Sequence, residues 1–426
     1  MQSGNIKQDT RTPGQTEIEI NVWQAFPDPR LLTGTDFSEV ADIGRAAHLT
    51  FGDERVVDFF ATVSRLLLRR EISRSAPELA ALGFFLRRSQ ISTWLTALKH
   101  EPDKLRVPRG LVCQFTPANV PVIFGYSWSL SALAGNANMV RLSSREHPHT
   151  EVLLDVLGEA LTGAPPVIAL TQRLMRYEHD DTINAALSGL CDLRVIWGGD
   201  ATISEIRRHP LAPHARDLTF PDRVSFSVVS AEAWLQASRD RQEQTIQSFY
   251  NDSYLYDQAA CASPLTVYWI GEPDVIPPAQ RSFIEQLAET VAARGPRPDT
   301  TAVIDKYVRT YSLGLAGEAA SICHLNNALT ILNMPGQGRM LQSWSGPGVF
   351  AFGAAPTLES LVPIINRRYQ TVTHFGFGTA DIIQFATALR GRGVDRFVPM
   401  GDALLFSKSW DGYDLLREFS REVTVR

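Results

Sequence analysis

The sequence predicts an α/β fold, with two α/β units that follow a mainly helical N-terminal region. Apolar residues recur at helical spacing over 56–70 and 78–99, which predicts two amphipathic helices. From residue 111 onward, short β-branched runs alternate with helical ones, an order typical of βαβ units and parallel sheets. A chain of 426 residues needs more than one core, because a single hydrophobic core stops growing near about 250–300 residues.

The helical region is predicted over 1–106 and the first α/β unit over 107–230. Within this unit the run 120–133 is apolar but shorter than the ~20 residues that a membrane span needs, so it predicts a buried helix. The other helices are expected at 150–161 and 201–208, and the strands at 111–115, 138–142, 193–197 and 224–230.

The second α/β unit is predicted over 231–398. It begins with a long helix at 231–252, a stretch without Gly or Pro in which apolar residues recur among charged ones. Strands are expected at 265–270 and 349–352, and helices at 279–293 and 357–365. Residues 399–426 are expected to form a C-terminal tail segment.

Composition and charge exclude several classes of function. The chain is 44% hydrophobic and 20% charged, with a net charge of −5 and a pI near 6.0, so nucleic acid and anionic membranes are not expected as partners. The first residues lack the basic and apolar regions of a secretory signal, and a cytoplasmic location is therefore expected. The four cysteines stand far apart without a CxxC pair, which predicts neither a disulfide framework nor a metal site.

One of these cysteines is a candidate nucleophile. Cys261 stands among small residues in the segment Asp257–Pro264, directly before a predicted strand, so a substrate carbon has room to approach the sulfur. On this segment alone, a small buried hydrophobic residue remains the simpler interpretation. Asn119 stands between Pro117 and Pro121 after another strand, where a rigid turn could aim its side-chain amide into a cleft. A plain turn asparagine is the alternative.

Two further turns follow predicted strands or lead into them. Gly135-Asn136 precedes a strand that ends in the basic residue Arg141, and Trp197-Gly198-Gly199-Asp200 joins a strand to a helix. Open parallel sheets bind ligands at the carboxyl ends of their strands, and glycines let the backbone approach phosphates. A simple β–α turn with Asp200 as helix cap is equally compatible with the second motif.

Together these motifs resemble the aldehyde dehydrogenase superfamily, which has a Pro-x-Asn-x-Pro turn, a helix, a Gly-Asn turn and a strand with a basic end in this order. More closely, the chain is similar to the fatty acyl-CoA reductase family of the bacterial bioluminescence type and its non-luminous relatives. The matching segments are Asn119-Val120-Pro121, Leu133-Ala134-Gly135-Asn136-Ala137-Asn138, Trp197-Gly198-Gly199-Asp200, Gln258-Ala259-Ala260-Cys261-Ala262-Ser263-Pro264 and Trp410-Asp411-Gly412-Tyr413.

The resemblance implies a fold and a chemistry. The fold is aldehyde-dehydrogenase-like, with a Rossmann-like cofactor-binding domain over 107–230 and a catalytic domain over 231–398. Cys261 falls at the acyl-accepting nucleophile, and Asn119 at the side-chain donor that stabilises the oxyanion. The expected reaction is the reduction of a long-chain acyl thioester, such as acyl-CoA, to the aldehyde through a covalent acyl-cysteine.

The resemblance also implies a nicotinamide cofactor. Gly198, Gly199 and Asp200 match the turn against the cofactor, and Arg141, Ser143 and Ser144 match the end of the strand that contacts the adenosine ribose. Relatives that use NAD often carry an acidic residue where Ser144 stands. A carboxylate would repel a 2′-phosphate, so this end favours NADPH over NADH. Solvated arginines at a strand end are the alternative.

One departure from the superfamily bears on the direction of the reaction. Oxidising members carry a glutamate that acts as the base for thioester hydrolysis, whereas the corresponding region here is 218–224 and has none. An acyl-cysteine that must await hydride benefits from the lack of this base, which favours reduction. Asp222 could still serve in its place.

Several readings stay open. The acyl donor could be a chain held on a carrier protein and released reductively in a biosynthetic pathway. The enzyme could work oxidatively as an aldehyde dehydrogenase, act as a cofactor-free cysteine acyltransferase or hydrolase, or be a non-catalytic relative. Family systems imply an acyl-activating synthetase or acyltransferase as partner, and superfamily relatives imply a homo-oligomer.

Overall fold

The computed structural model of the chain describes residues 20–34, 43, 49–99, 103–296, 298–336 and 340–426. These residues form the α/β architecture that the sequence predicts. It contains two seven-stranded sheets, which are mostly parallel and are flanked by helices. The strands are β1 (Ile20–Phe26), β2 (Arg30–Gly34), β3 (Lys104–Pro108), β4 (Leu111–Phe115), β5 (Ala137–Leu142), β6 (Gln172–Arg176), β7 (Leu193–Trp197), β8 (Arg216–Phe220), β9 (Val224–Ser230), β10 (Pro264–Ile270), β11 (Ser321–Asn326), β12 (Leu329–Asn333), β13 (Val349–Ala355), β14 (Tyr369–Phe375), β15 (Arg396–Pro399), β16 (Ser409–Trp410), β17 (Tyr413–Asp414) and β18 (Ser420–Thr424).

The helices cover the faces of both sheets. Within the described residues they are α1 (Glu54–Leu67), α2 (Arg70–Ser75), α3 (Pro77–Phe85), α4 (Arg88–Lys99), α5 (Ile123–Leu133), α6 (Pro148–Leu161), α7 (Pro166–Thr171), α8 (Asp181–Leu190), α9 (Asp200–Arg207), α10 (Ala231–Gln236), α11 (Arg239–Tyr254), α12 (Ile276–Arg294), α13 (Thr300–Leu315), α14 (Thr379–Leu389) and α15 (Leu415–Glu418). The helix expected at 357–365 is a short 3₁₀ helix, Glu359–Ile364, which contains Pro363. Proline lacks the N–H of an α-helical ladder, which accounts for the difference.

The first sheet has the strand order β2-β1-β6-β5-β4-β7-β8. The chain runs from the central strand β4 to β5 and β6 on one side, then crosses to β7 and β8 on the other. This reversal makes a switch point between β4 and β7, where open α/β sheets bind ligands at the carboxyl edge. Helix α5 is buried along its whole length, as the apolar run 120–133 predicts.

The N-terminal region is less purely helical than expected. Helices α1 to α4 are present, but β1 and β2 add two antiparallel strands to the edge of the first sheet next to β6. The predicted limits 1–106 and 107–230 therefore cut through this sheet. The first residues of the predicted helical region lie outside the described residues.

The second sheet has the order β11-β12-β13-β10-β9-β14-β15. Strand β9 was expected to close the first unit, and this assignment is wrong. It pairs in parallel with β10 and β14 in the middle of the second sheet. A strand buried on both faces belongs at the centre of a parallel sheet, but its apolar run does not indicate which sheet.

The C-terminal tail returns to the first sheet. Strand β18 pairs antiparallel with β3, and Trp410, Leu415, Leu416 and Phe419 are buried in the core that covers the first sheet. The loop that carries residues 404–411 is thereby laid across the gap between the two sheets. No helix in the described ranges is long and apolar enough to cross a membrane.

Candidate active site

A cavity of about 270 Å³ opens between the two sheets, at the switch point of the first. Its walls come from six places in the chain: the turn after β4, the turn after β7, the end of β8 with the turn after it, the loop before β10, β14 and the C-terminal tail. Residues from each of these segments line it, among them Asn119, Gly198, Gly199, Cys261 and Asp411. The cavity therefore brings together motifs that lie up to about 290 positions apart in sequence.

The loop before β10 holds Cys261 in an unusual backbone path. Asp257 and Gln258 both have positive φ values, 50° and 59°. Left-handed conformations cost non-glycine residues about 1–2 kcal/mol each and persist only where the surroundings enforce them. Trp344 Nε1 donates to the Asp257 carbonyl at 2.9 Å. The side chain of Gln258 is buried and binds the first residues of β10 and β13.

Cys261 is partly buried and borders the cavity. Its backbone carbonyl accepts a hydrogen bond of 2.7 Å from Ser225 Oγ on β9, which fixes the residue to the second sheet. Burial raises the pKa of the Cys261 thiol, the backbone N–H of Arg223 acts in the opposite direction, and the negative charges of Asp411 and Asp222 raise it further. The thiol thus needs a proton acceptor before it can attack.

Asn119 lies in the turn between β4 and α5. Its Nδ2 donates to the carbonyl of Ala259 at 3.0 Å, so it links the first sheet to the cysteine loop across 140 positions. A side-chain amide has two N–H donors, which leaves one for a bound oxygen. The structure thus brings Asn119 and Cys261 to one cavity.

The Gly198-Gly199 turn forms another part of the cavity wall. Gly199 is the N-cap of α9, and a Cβ at this position would lie 3.1 Å from Asp222 Oδ2. Asp200 is exposed in the first helical turn and does not line the cavity. The Trp197 ring stacks on Phe220 at a centroid distance of 3.7 Å and makes this wall aromatic.

Arg141, Ser143 and Ser144 lie outside the cavity, at the carboxyl end of the neighbouring strand β5. The Arg141 guanidinium lies over the Tyr177 ring at 5.2 Å and donates to the Tyr177 carbonyl at 3.4 Å. Ser143 Oγ accepts from the backbone N–H of Arg145, and Ser144 is exposed. Their predicted cofactor role remains a prediction.

Asp411 is a cavity residue for which the sequence indicated no role. It lies in the segment Trp410-Asp411-Gly412-Tyr413 with φ 49°, and its carboxylate is buried. Gln370 Nε2 donates to it, and an Arg223 nitrogen lies 3.5 Å away. Burial raises the pKa of Asp411, whereas Arg223 and the hydrogen bond from Gln370 act in the opposite direction. The segment 410–413 could be recognised in the sequence, but the sequence did not indicate that it lines the same cavity as Cys261.

The turns at this edge fit a nicotinamide dinucleotide. The Gly198-Gly199 turn leaves open the space beside Asp222 that any larger residue would fill, and it leads into the N-terminus of α9. Free N–H groups at such a terminus favour a pyrophosphate. The carboxyl end of β5, with Arg141, lies two strands away in the same sheet.

Comparisons with solved structures identify the fold. The chain aligns with aldehyde dehydrogenase 21 from Physcomitrella patens at a TM-score of 0.67 and 12% identity, over 97% of this chain and 95% of that one. Lactaldehyde dehydrogenase aligns at a TM-score of 0.64 and 14% identity, over 92% and 90%. The fold is therefore aldehyde-dehydrogenase-like.

Two relatives share part of the sequence. The long-chain acyl-protein thioester reductase of Aliivibrio fischeri is 22% identical over 204 residues, which cover 44% of this chain and 41% of that protein. Long-chain acyl-protein thioester reductase 2 of Photobacterium leiognathi is 23% identical over 205 residues, with the same coverage. The aligned part thus spans about two fifths of the length of these relatives. A model of the acyl-CoA reductase (LuxC) family matches residues 30–422, and the chain belongs to that family.

Proposed function

We propose that this protein reduces a long-chain acyl thioester, in the first place acyl-CoA, to the aldehyde with NADPH and an acyl-Cys261 intermediate. The observation that carries the proposal is that Cys261, Asn119 and the Gly198-Gly199 turn border one cavity at the switch point of a dinucleotide-type sheet. Membership of the acyl-CoA reductase family supports the same chemistry.

The first chemical step is transfer of the acyl group to sulfur. A carboxylate takes the thiol proton, and Asp411 is suited to this because its raised pKa increases its affinity for a proton. The Cys261 thiolate forms a C–S bond with the thioester carbon while the bond to the donor sulfur breaks, and the departing thiolate takes the proton from Asp411. Asn119 donates to the oxyanion that develops on the carbonyl oxygen.

The second step turns the acyl-cysteine into aldehyde. A bound reduced nicotinamide would supply the hydride at this stage. Asn119 again stabilises the oxyanion, and its collapse releases the aldehyde and the Cys261 thiolate. This thiolate takes up a proton from solvent, because Asp411 gave its proton to the departing donor thiol in the first step. One thioester, one hydride from the nicotinamide and one proton from solvent would thereby give one aldehyde and one free thiol.

Exclusion of water protects the acyl-cysteine. The cavity places Asp222 and Asp411 beside Cys261, so the missing glutamate in 218–224 does not remove every base from the site. The aromatic walls of Trp197, Phe220 and Trp410 limit the room for an attacking water. This enclosure, rather than the missing glutamate alone, supports reduction over hydrolysis.

Cofactor choice rests on the end of β5. Arg141 and Arg145 offer positive charge there, and Ser144 replaces the carboxylate that would repel a 2′-phosphate. This supports NADPH over NADH, with Arg141, Ser143 and Ser144 at the adenosine end and Gly198, Gly199 and Asp200 at the pyrophosphate end.

A carrier-bound acyl chain is the second candidate donor. The two relatives are named acyl-protein thioester reductases, which favours a donor presented by a partner protein such as an acyltransferase or an acyl-activating synthetase. The chemistry at Cys261 is the same for either donor, because each transfers its acyl group to the sulfur and gives the same acyl-Cys261 thioester.

The test compares wild-type protein with Cys261→Ala in NADPH consumption, with a series of acyl-CoA thioesters and with NADH in parallel. Cys323→Ala is the matched control, because Cys323 is exposed and lies outside the cavity. We expect aldehyde formation and an acyl adduct, seen in the intact mass, that only Cys261→Ala abolishes. An adduct without nucleotide consumption would indicate an acyltransferase, and the absence of any adduct with acyl-CoA or acyl-carrier donors would refute the proposal.

A further inference from the structure

Apart from Glu78, which is buried and paired with His149, helix α3 is apolar on both of its faces, although one face is at the surface. Leu79, Leu82 and Phe85 are buried on the inner side, whereas Phe84 is 51% exposed on the outer one. A surface helix normally presents polar residues to water. Contiguous exposed apolar surface on a protein marks a binding site for an apolar partner.

The exposed face of α3 forms one wall of a groove of about 540 Å³. Pro77, Ala80, Ala81 and Phe84 line it from α3, and Trp94 lines it from α4. Of the described residues that line the groove, none carries a charge, and the only polar side chains are those of Ser73 and Gln90; the Arg87 guanidinium lies over the Phe84 ring, 4.2 Å from its centroid. The groove therefore suits an aliphatic ligand better than a polar one.

The groove and the catalytic cavity share a wall. Phe406 borders both, while its neighbour Leu404 faces the cavity and Leu405, 50% exposed, faces the groove. The Phe406 ring stacks on Tyr126 at 4.9 Å and contacts Phe85 at 5.9 Å. Phe406 is the one described residue that lines both, so the two spaces meet at its ring.

We propose that this groove binds the distal methylenes of a long acyl chain whose thioester carbon lies at Cys261. The inference rests on the proposed function and names the acyl-chain subsite of the same site. The cavity measures about 270 Å³, below the ~300–1,000 Å³ of common ligand pockets, and must also admit the nicotinamide ring. A long chain cannot end inside it and has to continue, and the groove is the apolar surface that adjoins the cavity at Phe406.

The groove predicts how activity depends on chain length. Burial of one methylene contributes ~0.8 kcal/mol, which corresponds to about fourfold in kcat/KM for each methylene that reaches the groove. Short chains end inside the cavity and gain nothing from the groove. Chain-length preference therefore belongs to α3, α4 and residues 405–406, outside the cavity that carries the chemistry.

The experiment measures kcat/KM for acyl-CoA thioesters from butanoyl to octadecanoyl in wild type, Ala81→Trp and Phe84→Ser. Ala81→Trp fills the groove, and Ala386→Trp on α14 is the matched control for an added indole on a half-buried helix face. We expect Ala81→Trp to lose at least about tenfold with the longest chains and to stay within about twofold of wild type with the shortest. A profile parallel to that of the control overturns the inference and leaves the proposed function intact.

A binding measurement judges the groove without turnover. An acyl-CoA brominated at its methyl end is expected to quench the fluorescence of Trp94, and this component should vanish in Trp94→Phe. Quenching that is the same in wild type and Trp94→Phe overturns the inference, even if the enzyme reduces no thioester and the proposed function has failed. If Ala81→Trp impairs only carrier-bound donors, a partner segment occupies the groove, and the acyl-chain assignment is wrong.

Discussion

Replacement of Gln258 tests how the protein holds its nucleophile. The side chain is 2% exposed and makes three hydrogen bonds to the backbone: Nε2 donates to the carbonyls of Pro264 at 3.0 Å and Val349 at 3.1 Å, and Oε1 accepts from the N–H of Val349 at 3.0 Å. These bonds tie the cysteine loop to the starts of β10 and β13. We therefore expect Gln258→Ala to loosen the loop that carries Cys261.

The size of the effect follows from these contacts. Each hydrogen bond contributes about 1 kcal/mol, and a buried group left without a partner costs about 1–3 kcal/mol, so Gln258→Ala should lower the free energy of unfolding by roughly 3–5 kcal/mol. Gln258 also has φ 59°, which alanine must still adopt. Glycine removes this strain, so Gln258→Gly should be more stable than Gln258→Ala by about 1 kcal/mol.

Urea unfolding followed by circular dichroism gives the stability of each variant. Gln384→Ala is the matched control, because the Gln384 side chain is exposed and makes a single 3.0 Å hydrogen bond to Glu359. Its loss should cost no more than about 0.5 kcal/mol. The rate at which iodoacetamide alkylates Cys261 in the folded proteins reports the position of the loop, and we expect acyl-adduct formation to fall in both Gln258 variants.

Two results would refute this reasoning. If Gln258→Ala unfolds at the same urea concentration as Gln384→Ala, the three hydrogen bonds do not hold the loop. If Gln258→Gly is less stable than Gln258→Ala, the left-handed backbone at this residue stores no strain.

Three further predictions concern single carboxylates and amides. Asn119→Ala should lower kcat by ~10²–10³ with little change in KM, because it removes an oxyanion donor. An unchanged kcat in steady-state assays would exclude that role. Asp411→Asn should slow turnover by ~10²–10⁴, because it removes the proposed base. It should also shift the pH dependence of Cys261 alkylation to lower pH, because a negative charge near the thiol is removed. A shift to higher pH would contradict this electrostatic argument. Burial raises the pKa of Asp252 from 3.8 to about 7, so the folded state binds a proton more tightly than the unfolded state. Protonation of Asp252 therefore stabilises the folded state fully below pH 3.8, and this stabilisation is lost as the pH rises through 7. Urea midpoints should fall over this range, and Asp252→Asn should flatten the slope.

The meeting of Asn119, Gly198-Gly199 and Cys261 at one cavity was predictable because these residues belong to local motifs next to predicted strands. Asn119 follows β4 and Gly198-Gly199 follows β7, and the carboxyl ends of neighbouring parallel strands meet at one edge. Cys261 carried its own signal of small neighbours before a strand. Arg141 lies at the same edge, in the neighbouring strand β5 and outside the cavity, and its role at the adenosine end of the cofactor stays a prediction.

The rest could not be predicted because it depends on pairing between distant segments. The run 224–230 has the pattern of any buried strand, and only its neighbours β10 and β14 decide that it belongs to the second sheet. Asp411 stands 150 positions after Cys261, and its approach depends on the return of the tail to the first sheet. No periodicity in the sequence encodes that return.

The contacts of the C-terminal tail explain the Gly135-Asn136 turn, for which the resemblance gave a position in the chain but no physical role. Asn136, in the Gly135-Asn136 turn, is fully buried; its Oδ1 accepts from the N–H of Arg109 at 2.8 Å, and its Nδ2 donates to the carbonyl of Phe419 at 2.8 Å. This amide fastens the tail to the first sheet, next to the pairing of β18 with β3. The tail in turn supplies Phe406, which borders both the cavity and the groove, and Asp411, which lines the cavity together with Cys261. The Gly-Asn turn therefore acts on the site from outside it, because it fixes the segment that closes the cavity.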